Sequence, residues 1–495
     1  MLIRKLRPLT TDCKRLLSSK IQILEAKNVA LYPFPVVTNS TNNIDKRQTI
    51  VILGSGWGGY NLLRHIDAKY YRCVVVSPRP YFIFTPLLAS TAVGTLETRV
   101  AIESVRDKGM GWRKLADVLN RQQKDTLSSM EFVQGVASDI DVNHKTVTIQ
   151  PRLDSVPWDA QFQIHYDKLA IAVGCYSQTF KIPGVKEHAF FLKDISDALK
   201  IRNRILEKFE AANLFLVSEE DKRKLLHFCI VGGGPTGVEF SAELHDLIVQ
   251  DLCFHYPALM PYIRITLFDV AKGILGGFDK SLSEYAEKRF QRQNISIRTS
   301  VRVEEVTKDA IRLKNDKGVE EVIPYGALIW STGLAPNPFV ANCSHLVKDN
   351  RQGLVTDEYL NVYRKGSDGG QVVDLDIFGI GDCAQIEEGL LPATAQVASQ
   401  KALYLAKDLN QRASERSKGK KYESKPFEFN NRGIMAYLGG WRAIMQGSNN
   451  EVKGRTAWLL WRGAYFSMSV SIKNKILIPV YWFANWLFGR DISRF

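Results

Sequence analysis

Two short glycine-rich segments, far apart in a chain of 495 residues, constrain the fold more than any other feature. The first is Gly54-Ser-Gly-Trp-Gly-Gly59 and the second is Gly232-Gly-Gly-Pro-Thr-Gly237, and both have the spacing G-x-G-x-x-G. Each follows a short apolar run that predicts a β-strand, and each precedes a helical pattern. That context distinguishes a nucleotide-binding loop from a chance turn.

The three glycines of such a loop have separate physical roles. The first makes a tight turn, the second lets the backbone approach a pyrophosphate, and the third lets the helix pack closely on the strand. The pyrophosphate then lies at the positive end of the helix. Two loops predict two dinucleotides, a flavin and a nicotinamide, in an α/β protein with two Rossmann-like dinucleotide-binding domains. The glycines concerned are Gly54, Gly56 and Gly59 in the first loop, and Gly232, Gly234 and Gly237 in the second.

The strand after each loop predicts which nucleotide each site holds. An acid at its end binds the ribose of a dinucleotide. The first such strand ends without an acid, at Ser77-Pro-Arg79, so we expect Ser55, Ser77 and Arg79 to hold the flavin nucleotide. The second ends at Asp269, which favours NADH because a carboxylate would repel the 2′-phosphate of NADPH. A helix-capping role for Asp269 is the alternative.

Several further segments complete the predicted sites. Two apolar strands end at Gly174 and Gly333, and their likeness indicates an internal duplication. Thr85 lies in an aromatic segment that forms either a wall beside the flavin or a core loop. Gly381-Asp382 follows a strand and precedes a helix, which suggests a flavin contact, although a plain N-cap is the alternative. Glu239 opens the helix of the second loop and is a candidate contact to the nicotinamide, or merely a first-turn acid.

With these motifs the chain resembles the type II NADH dehydrogenases, the non-pumping, rotenone-insensitive NADH:ubiquinone oxidoreductases. The resemblance rests on the two loops, Ser77-Pro-Arg79, Gly381-Asp382, Ala395-Gln-Val-Ala-Ser-Gln400 and a closing Trp486-Leu-Phe-Gly-Arg-Asp-Ile492 similar to fungal mitochondrial members. It implies FAD in the first site, NADH in the second, and electron transfer from NADH through FAD to ubiquinone.

The resemblance also implies a quinone site, and two other kinds of flavoprotein remain as alternatives to it. Ubiquinone would reach the flavin near Gln396 and Gln400, followed here by Lys401 where the family usually has Glu. A sulfide:quinone oxidoreductase would relay electrons through cysteines, for which Cys175 and Cys343 are the candidates. An apoptosis-inducing type of flavoprotein would share the two loops and bind DNA.

Charge and composition bear on the location of the protein. The formal net charge is +14, yet the basic residues form no nucleic-acid motif, so we expect an anionic membrane surface as partner and no nucleic acid. Residues 1–45 are basic and rich in Ser and Thr, which is typical of a mitochondrial transit peptide. A disordered basic tail is the alternative.

The C-terminal segment is the predicted membrane contact. Four of the nine tryptophans lie beyond Thr456, and the longest uncharged run, Ile476 to Gly489, is shorter than the about 20 residues of a spanning helix. Amphipathic helices at the surface of the mitochondrial inner membrane, or a buried homodimer interface, fit this composition.

The cysteines and the domain boundaries complete the sequence-based expectations. The seven cysteines form no C-x-x-C pair, so neither a metal site nor a closely spaced redox disulfide is expected. We expect an FAD-binding domain at 46–190 and 350–415, an NADH-binding domain at 191–349, and a membrane-associating or dimerising region at 416–495.

Overall fold

A computed structural model describes residues 36–37, 47–106, 130–157, 159–366, 368–447, 450–469 and 471–493. The proposed transit peptide at 1–45 lies outside these residues, apart from the two-residue strand Val36–Val37. Contacts divide the chain into two units. The first unit holds the described residues of 36–80, 130–174 and 336–427, and the second holds those of 81–106, 175–335 and 428–493.

The first unit is built on one eleven-stranded sheet with a parallel centre. The first loop follows Gln48–Leu53, which pairs in parallel with Tyr71–Ser77 on one side and Lys168–Ile171 on the other. The order across the sheet is Val36–Val37, Phe162–His165, Thr146–Pro151, Met130–Asp141, Tyr71–Ser77, Gln48–Leu53, Lys168–Ile171, Gln371–Gly379, Asn361–Lys365, Leu354–Thr356 and Ala384–Ile386.

Helices cover this sheet where the sequence is amphipathic. Trp57–His65 begins directly at the first loop, and the long helix Ala395–Ser417 packs against it. A short helix, Pro338–Asn342, contributes Phe339 and Val340 to the core, together with buried Val51, Val74 and Leu169 of the strands. Continuous apolar strands such as Ile50 to Leu53 are buried on both faces, as expected for a parallel sheet.

The second unit contains a smaller, fully parallel five-stranded sheet. Its order is Phe190–Phe191, Ala327–Trp330, His227–Val231, Arg264–Phe268 and Ile295–Arg298. A three-stranded antiparallel sheet adds Val301–Val306, Ala310–Asn315 and Glu320–Pro324, and two-stranded ribbons pair Tyr81–Ile83 with Ile102–Ser104 and Cys175–Ser177 with Leu334–Pro336.

The helices of the second unit have recognisable start signals. Asp194 and Asp197 form a capping box at the start of Ile195–Ala212, and Pro235 is the first residue of Pro235–Leu247. That helix continues through a π-helical turn, Ile248–Leu252. The other helices are Leu88–Ala92, Val185–His188, Glu219–Leu225, Cys253–His255, the 3₁₀ segment Pro257–Tyr262, and Lys280–Arg292.

The C-terminal region is part of the second unit. It forms an antiparallel meander, Ile434–Tyr437, Ala443–Gln446 and Glu451–Gly454, followed by the helices Arg455–Met468 and Ile472–Phe488. Among the described residues, no helix combines the length and apolar character that crossing a membrane requires.

These units differ from the boundaries that the sequence predicts. Residues 81–106 and 175–190, expected in the FAD-binding domain, lie in the second unit, whereas 336–349 and 416–427 lie in the first. For residues 81–106 hydrogen bonds contribute to this difference, because Glu103 accepts from Ser471 N and from Asn474 Nδ2 of the C-terminal region. Such contacts join residues remote in sequence and leave no local signal.

Candidate dinucleotide and quinone sites

The first loop has the geometry that its three glycines predict. Gly54 has φ +107°, and a Cβ there would lie 2.3 Å from the carbonyl oxygen of Ala172. At Gly59 a Cβ would lie 1.9 Å from Gly54 O, so this glycine allows the helix to approach the strand. At Gly56, in contrast, a Cβ would meet no protein atom within 4 Å. Protein packing therefore explains the outer glycines, and the open space at Gly56 fits a bound dinucleotide.

The second loop repeats this arrangement in the second unit. Gly232 has φ +114°, with Ser331 O 2.8 Å from a Cβ placed there, and a Cβ at Gly237 would lie 2.0 Å from Gly232 O. Gly234 again faces open space, with no protein atom within 4 Å of a Cβ. Each unit thus carries one complete cradle for a pyrophosphate at a helix N-terminus.

Around the first loop, two serines lie in contact. The hydroxyl oxygens of Ser55 and Ser77 are 2.8 Å apart, and both side chains are buried. Ser77 Oγ accepts from Arg79 N, and Ser55 Oγ donates to Arg79 O. The segment that the sequence predicts as the nucleotide contact, Ser77 to Arg79, is therefore tied directly to the loop.

The Gly-Asp turn lies in the same unit. Gly381–Cys383 forms a 3₁₀ turn after the strand Gln371–Gly379, and Gly381 has φ +78°. Asp382 is half-buried and opens no α-helix, because Ala384–Ile386 follows as a strand. The N-cap of the next helix is Thr394 instead. Gly174 has φ +68° and open space at its Cβ position.

The helix Ala395–Ser417 carries the predicted quinone residues. Gln400 Nε2 donates to Gln396 Oε1 at 3.4 Å, and both side chains are half-buried on one helix face. Lys401 lies elsewhere: its side chain is 1% exposed and its Nζ donates to Ala384 O at 3.1 Å. Burial lowers the pKa of Lys401 to about 8, which Cys383 and Asp382 partly oppose. The predicted role of Lys401 in the quinone site stays a prediction, and the structure adds a contact of its ammonium with the backbone directly after the Gly-Asp turn.

In the second site, Asp269 contacts the second loop. It follows the strand Arg264–Phe268, and its carboxylate accepts from Gly233 N and from Ala271 N. The acid thus lies beside the loop, where a ribose acceptor is expected. Gly333 follows the strand Ala327–Trp330, has φ +73°, and would place a Cβ 2.7 Å from Phe180.

Glu239 is enclosed by the C-terminal region. One carboxylate oxygen, Oε1, accepts from Tyr437 N at 3.1 Å and from Trp461 Nε1 at 3.2 Å. Burial raises the pKa of Glu239 to about 8, against these two hydrogen bonds. Its predicted role at the nicotinamide stays a prediction. The structure adds a contact with the meander and with Arg455–Met468 that the sequence did not indicate.

Sequence reasoning missed a buried acidic series that continues from Glu239. Glu243 accepts from Ser90 Oγ and Thr95 Oγ1, each at 2.7 Å, and burial raises its pKa. Asp246 accepts from Tyr437 Oη at 2.6 Å. Acids at positions 239, 243 and 246 recur at the spacing of one helix face, and this spacing is the signal that the sequence offers.

Thr85 does not share a unit with the first loop. It begins the 3₁₀ turn Thr85–Leu87 and belongs to the second unit. The expectation that it contacts the flavin therefore stays a prediction.

Comparison with known proteins identifies the family. Residues 48–402 match the family model described as pyridine nucleotide-disulphide oxidoreductase, and residues 431–491 match the NDH2 C-terminal domain. The chain is 37% identical to a probable NADH dehydrogenase of Dictyostelium discoideum, with 91% of this chain and 92% of the relative covered. The chain belongs to the type II NADH dehydrogenase family.

Other proteins similar to this type II NADH dehydrogenase support the same family assignment. It is 36% identical to external NADH-ubiquinone oxidoreductase 2, mitochondrial, of Saccharomyces cerevisiae, over 93% of this chain and 84% of the relative. The structure of NDH2 from Plasmodium falciparum in complex with NADH has a TM-score of 0.81 and 28% identity, over 90% of this chain and all of that one. The predicted fold and family are confirmed.

The burial of Cys343 gives no support to its proposed role in the sulfide-oxidising rival. Cys343 is buried in the core of the first unit, and burial raises the pKa of its thiol to about 12. A thiol with this pKa is scarcely ionised at neutral pH, whereas attack on sulfur requires the thiolate. Cys343 is thus a core side chain. Cys175 lies in the second unit, where Lys193 Nζ is 3.3 Å from its sulfur.

Proposed function

We infer that this type II NADH dehydrogenase is a single-chain flavoprotein that binds FAD and NADH and passes two electrons from NADH to ubiquinone, without proton pumping. The inference rests on the two glycine-rich loops. In each loop the second glycine, Gly56 or Gly234, has no protein atom within 4 Å of an added Cβ. Bound FAD would supply the chemistry, since it accepts two electrons together and can release them to a quinone.

We assign the two nucleotides to the two loops. Gly54, Gly56 and Gly59 would hold the FAD pyrophosphate at the start of Trp57–His65, with Ser55, Ser77 and Arg79 beside it. Gly232, Gly234 and Gly237 would hold NADH, and Asp269 would accept hydrogen bonds from its adenosine ribose. The two assignments differ because the strand after the first loop ends at Ser77 without an acid, whereas Asp269 follows the corresponding strand of the second site.

The Gly-Asp turn would orient FAD, and the glutamine pair would receive the quinone. Asp382 would bind the ribityl chain, with Gly174 and Gly381 leaving room for it. Gln396 and Gln400 present amide groups that can hydrogen bond to quinone carbonyls, because each amide has both a donor and an acceptor.

We further propose a location at the mitochondrial inner membrane, as a peripheral protein and homodimer. The exposed apolar side chains of Ile472–Phe488 support a membrane surface, since Ile476, Val480 and Phe488 are 61%, 53% and 82% exposed. A patch of this kind marks a contact with a membrane or another protein.

Anaerobic stopped-flow absorbance of the purified holoenzyme tests the electron path. NADH should bleach the flavin band quickly, and a short-chain ubiquinone added next should restore it quickly. Bleaching without recovery would contradict quinone as the acceptor. Bleaching by sulfide but not by NADH would favour the cysteine-relay enzyme.

A further inference from the structure

A cavity of about 670 Å³ lies in the second unit, and its lining includes no residue of the two glycine loops and neither glutamine of the pair. Its walls come from the meander, from both C-terminal helices and the residues that follow them, and from Thr95, Gln250 and Asp251. The aromatic lining residues are Trp441, Trp458, Trp482, Phe483 and Trp486. None of the functions described above uses this cavity.

Arg462, which forms no ion pair with a carboxylate of the described residues, lies between two of these indoles. The guanidinium carbon of Arg462 is 4.4 Å from the ring centroid of Trp458 and 4.2 Å from that of Trp482. Its Nε is buried and has no hydrogen-bond partner among the described residues. The indole faces hold the cation by cation–π attraction, but they offer no acceptor to its Nε–H group.

The second cation of the cavity is already paired. Arg490 forms a buried ion pair with Asp251, and its Nε donates to Thr95 Oγ1 at 2.9 Å. Asn485 Nδ2 donates to Gly94 O and Thr95 O, which fixes this side of the cavity. Arg462 is therefore the cation left to receive an anion. Burial lowers the pKa of Arg462, and the charges of Tyr437 and Glu243 oppose this only in part, so an anionic ligand would offset a remaining cost.

The residues around the cavity suit an amphiphilic ligand. Phe483, Trp486 and Leu487 lie on the adjoining helix and are 60%, 65% and 53% exposed. Guanidinium groups bind phosphates through paired N–H donors, and tryptophans favour the headgroup depth of a bilayer. A ligand with one phosphate and long apolar chains would satisfy both the arginine and this apolar surface.

We propose that this cavity is a phospholipid site in which Arg462, stacked between Trp458 and Trp482, binds the headgroup phosphate while the acyl chains follow Ile472–Phe488. The site rests on the proposed membrane surface and goes further, because it replaces general attachment with one defined contact. Anionic phospholipids would be preferred over zwitterionic ones, because a zwitterionic headgroup also carries an ammonium group, which the Arg462 guanidinium would repel.

Vesicle binding by the full-length holoenzyme tests this site. Affinity is measured by co-sedimentation with vesicles of phosphatidylcholine plus cardiolipin and with vesicles of phosphatidylcholine alone. Arg462→Gln should lose about tenfold or more in affinity for the cardiolipin vesicles, as expected for a charge-assisted hydrogen bond.

The matched control is Lys473→Gln, an exposed cation of the same helix pair that does not line the cavity. Its loss should not exceed about fivefold, the contribution of one general surface charge.

Other outcomes would overturn the proposal. Equal losses in the two variants would mean that only net charge matters. Quenching of tryptophan fluorescence by short-chain ubiquinone, unaffected by a short-chain phosphatidylglycerol, would make the cavity a quinone site. A shift of Arg462→Gln from dimer to monomer would make it an interface between copies of the chain.

Two further measurements keep these outcomes interpretable. If Arg462→Gln loses its bound FAD or unfolds, Arg462→Lys replaces it, because an ammonium keeps the charge but lacks the planar paired donors. It should also bind cardiolipin vesicles more weakly than the parent, and unchanged affinity would contradict the site.

Flavin bleaching by NADH and recovery with quinone are recorded in detergent for all variants. Normal traces with no lipid difference would refute the lipid site alone, whereas failed traces in the parent protein would refute the proposed function.

Discussion

At the scale of single residues, the protein buries ionisable groups whose contacts the sequence does not reveal. Glu239 and Lys401 could both be selected as unusual from their motifs, one beside a glycine loop and the other in place of an expected Glu. Their partners, Tyr437 and Ala384, could not be predicted, because one lies far away in the chain and the other offers only a backbone carbonyl.

The raised pKa of Glu239 predicts a pH-dependent stability. Its folded pKa of about 8 lies above its ordinary value of 4.5. Between these two pH values the folded state keeps a proton that the unfolded state has released. The free energy of unfolding should therefore fall as pH rises from about 4.5 to about 8.

Glu239→Gln tests this dependence. An amide oxygen can still accept from Tyr437 N and Trp461 Nε1, but it does not titrate. The variant should show a smaller decline in melting temperature than the parent between about pH 5 and about pH 8, and the buried Glu243, whose pKa is also raised, should account for part of the decline that remains. Glu284→Gln, at an exposed position, is the control and should retain the parent profile. The same decline in both variants would assign it to other groups.

At the scale of elements, the strand–loop–helix units were predictable and their tertiary attachments were not. Glycine spacing and apolar runs located both loops because these are local patterns. The Gly-Asp turn was expected to open a helix, but Ala384–Ile386 follows as a strand, and the helix begins at the Thr394 cap. Thr394 accepts from Val397 N, a capping signal that the sequence also contained.

The buried hydrogen bond from Lys401, on the helix Ala395–Ser417, to Ala384 O gives a second prediction. Lowering the pKa of Lys401 from 10.5 to about 8 corresponds to a cost of about 3 kcal/mol for the charged form at neutral pH. Removing its hydrogen bond to Ala384 O costs about 1–2 kcal/mol. Lys401→Met should therefore stabilise the protein at pH 7 by about 1–2 kcal/mol.

The pH dependence of stability tests whether the Lys401→Met substitution stabilises the protein. Between pH 8 and 10.5 the unfolded state holds a proton that folded Lys401 has lost, so the parent gains stability as pH rises. Lys401→Met should lack this gain in thermal melts, whereas Lys407→Met, exposed on the same helix, should keep it. A lower melting temperature for Lys401→Met at pH 7 would show that the ammonium is a net stabilising contact.

At the scale of the whole molecule, the sequence predicted the two dinucleotide-binding folds but not how the chain divides into compact units. Residues 81–106 were assigned by sequence order to the flavin-binding domain, yet Ser90 and Thr95 hydrogen bond to Glu243 of the second loop's helix. The C-terminal region likewise packs on that helix through Tyr437 and Trp461. Long-range packing of this kind is decided by burial in three dimensions and is invisible to a linear pattern.

The central claim is that the two loops hold different nucleotides, and a matched pair of alanine variants tests it most directly. Gly56→Ala and Gly234→Ala each add a methyl group that meets no protein atom within 4 Å, so both proteins should fold normally. The measurement is the FAD content and the NADH KM of each purified variant. We expect Gly56→Ala to lose FAD about tenfold or more, and Gly234→Ala to keep its FAD while its KM for NADH rises about tenfold or more, because the second glycine admits the pyrophosphate. Loss of FAD from Gly234→Ala with normal retention in Gly56→Ala, or equal effects in both, would contradict the assignment.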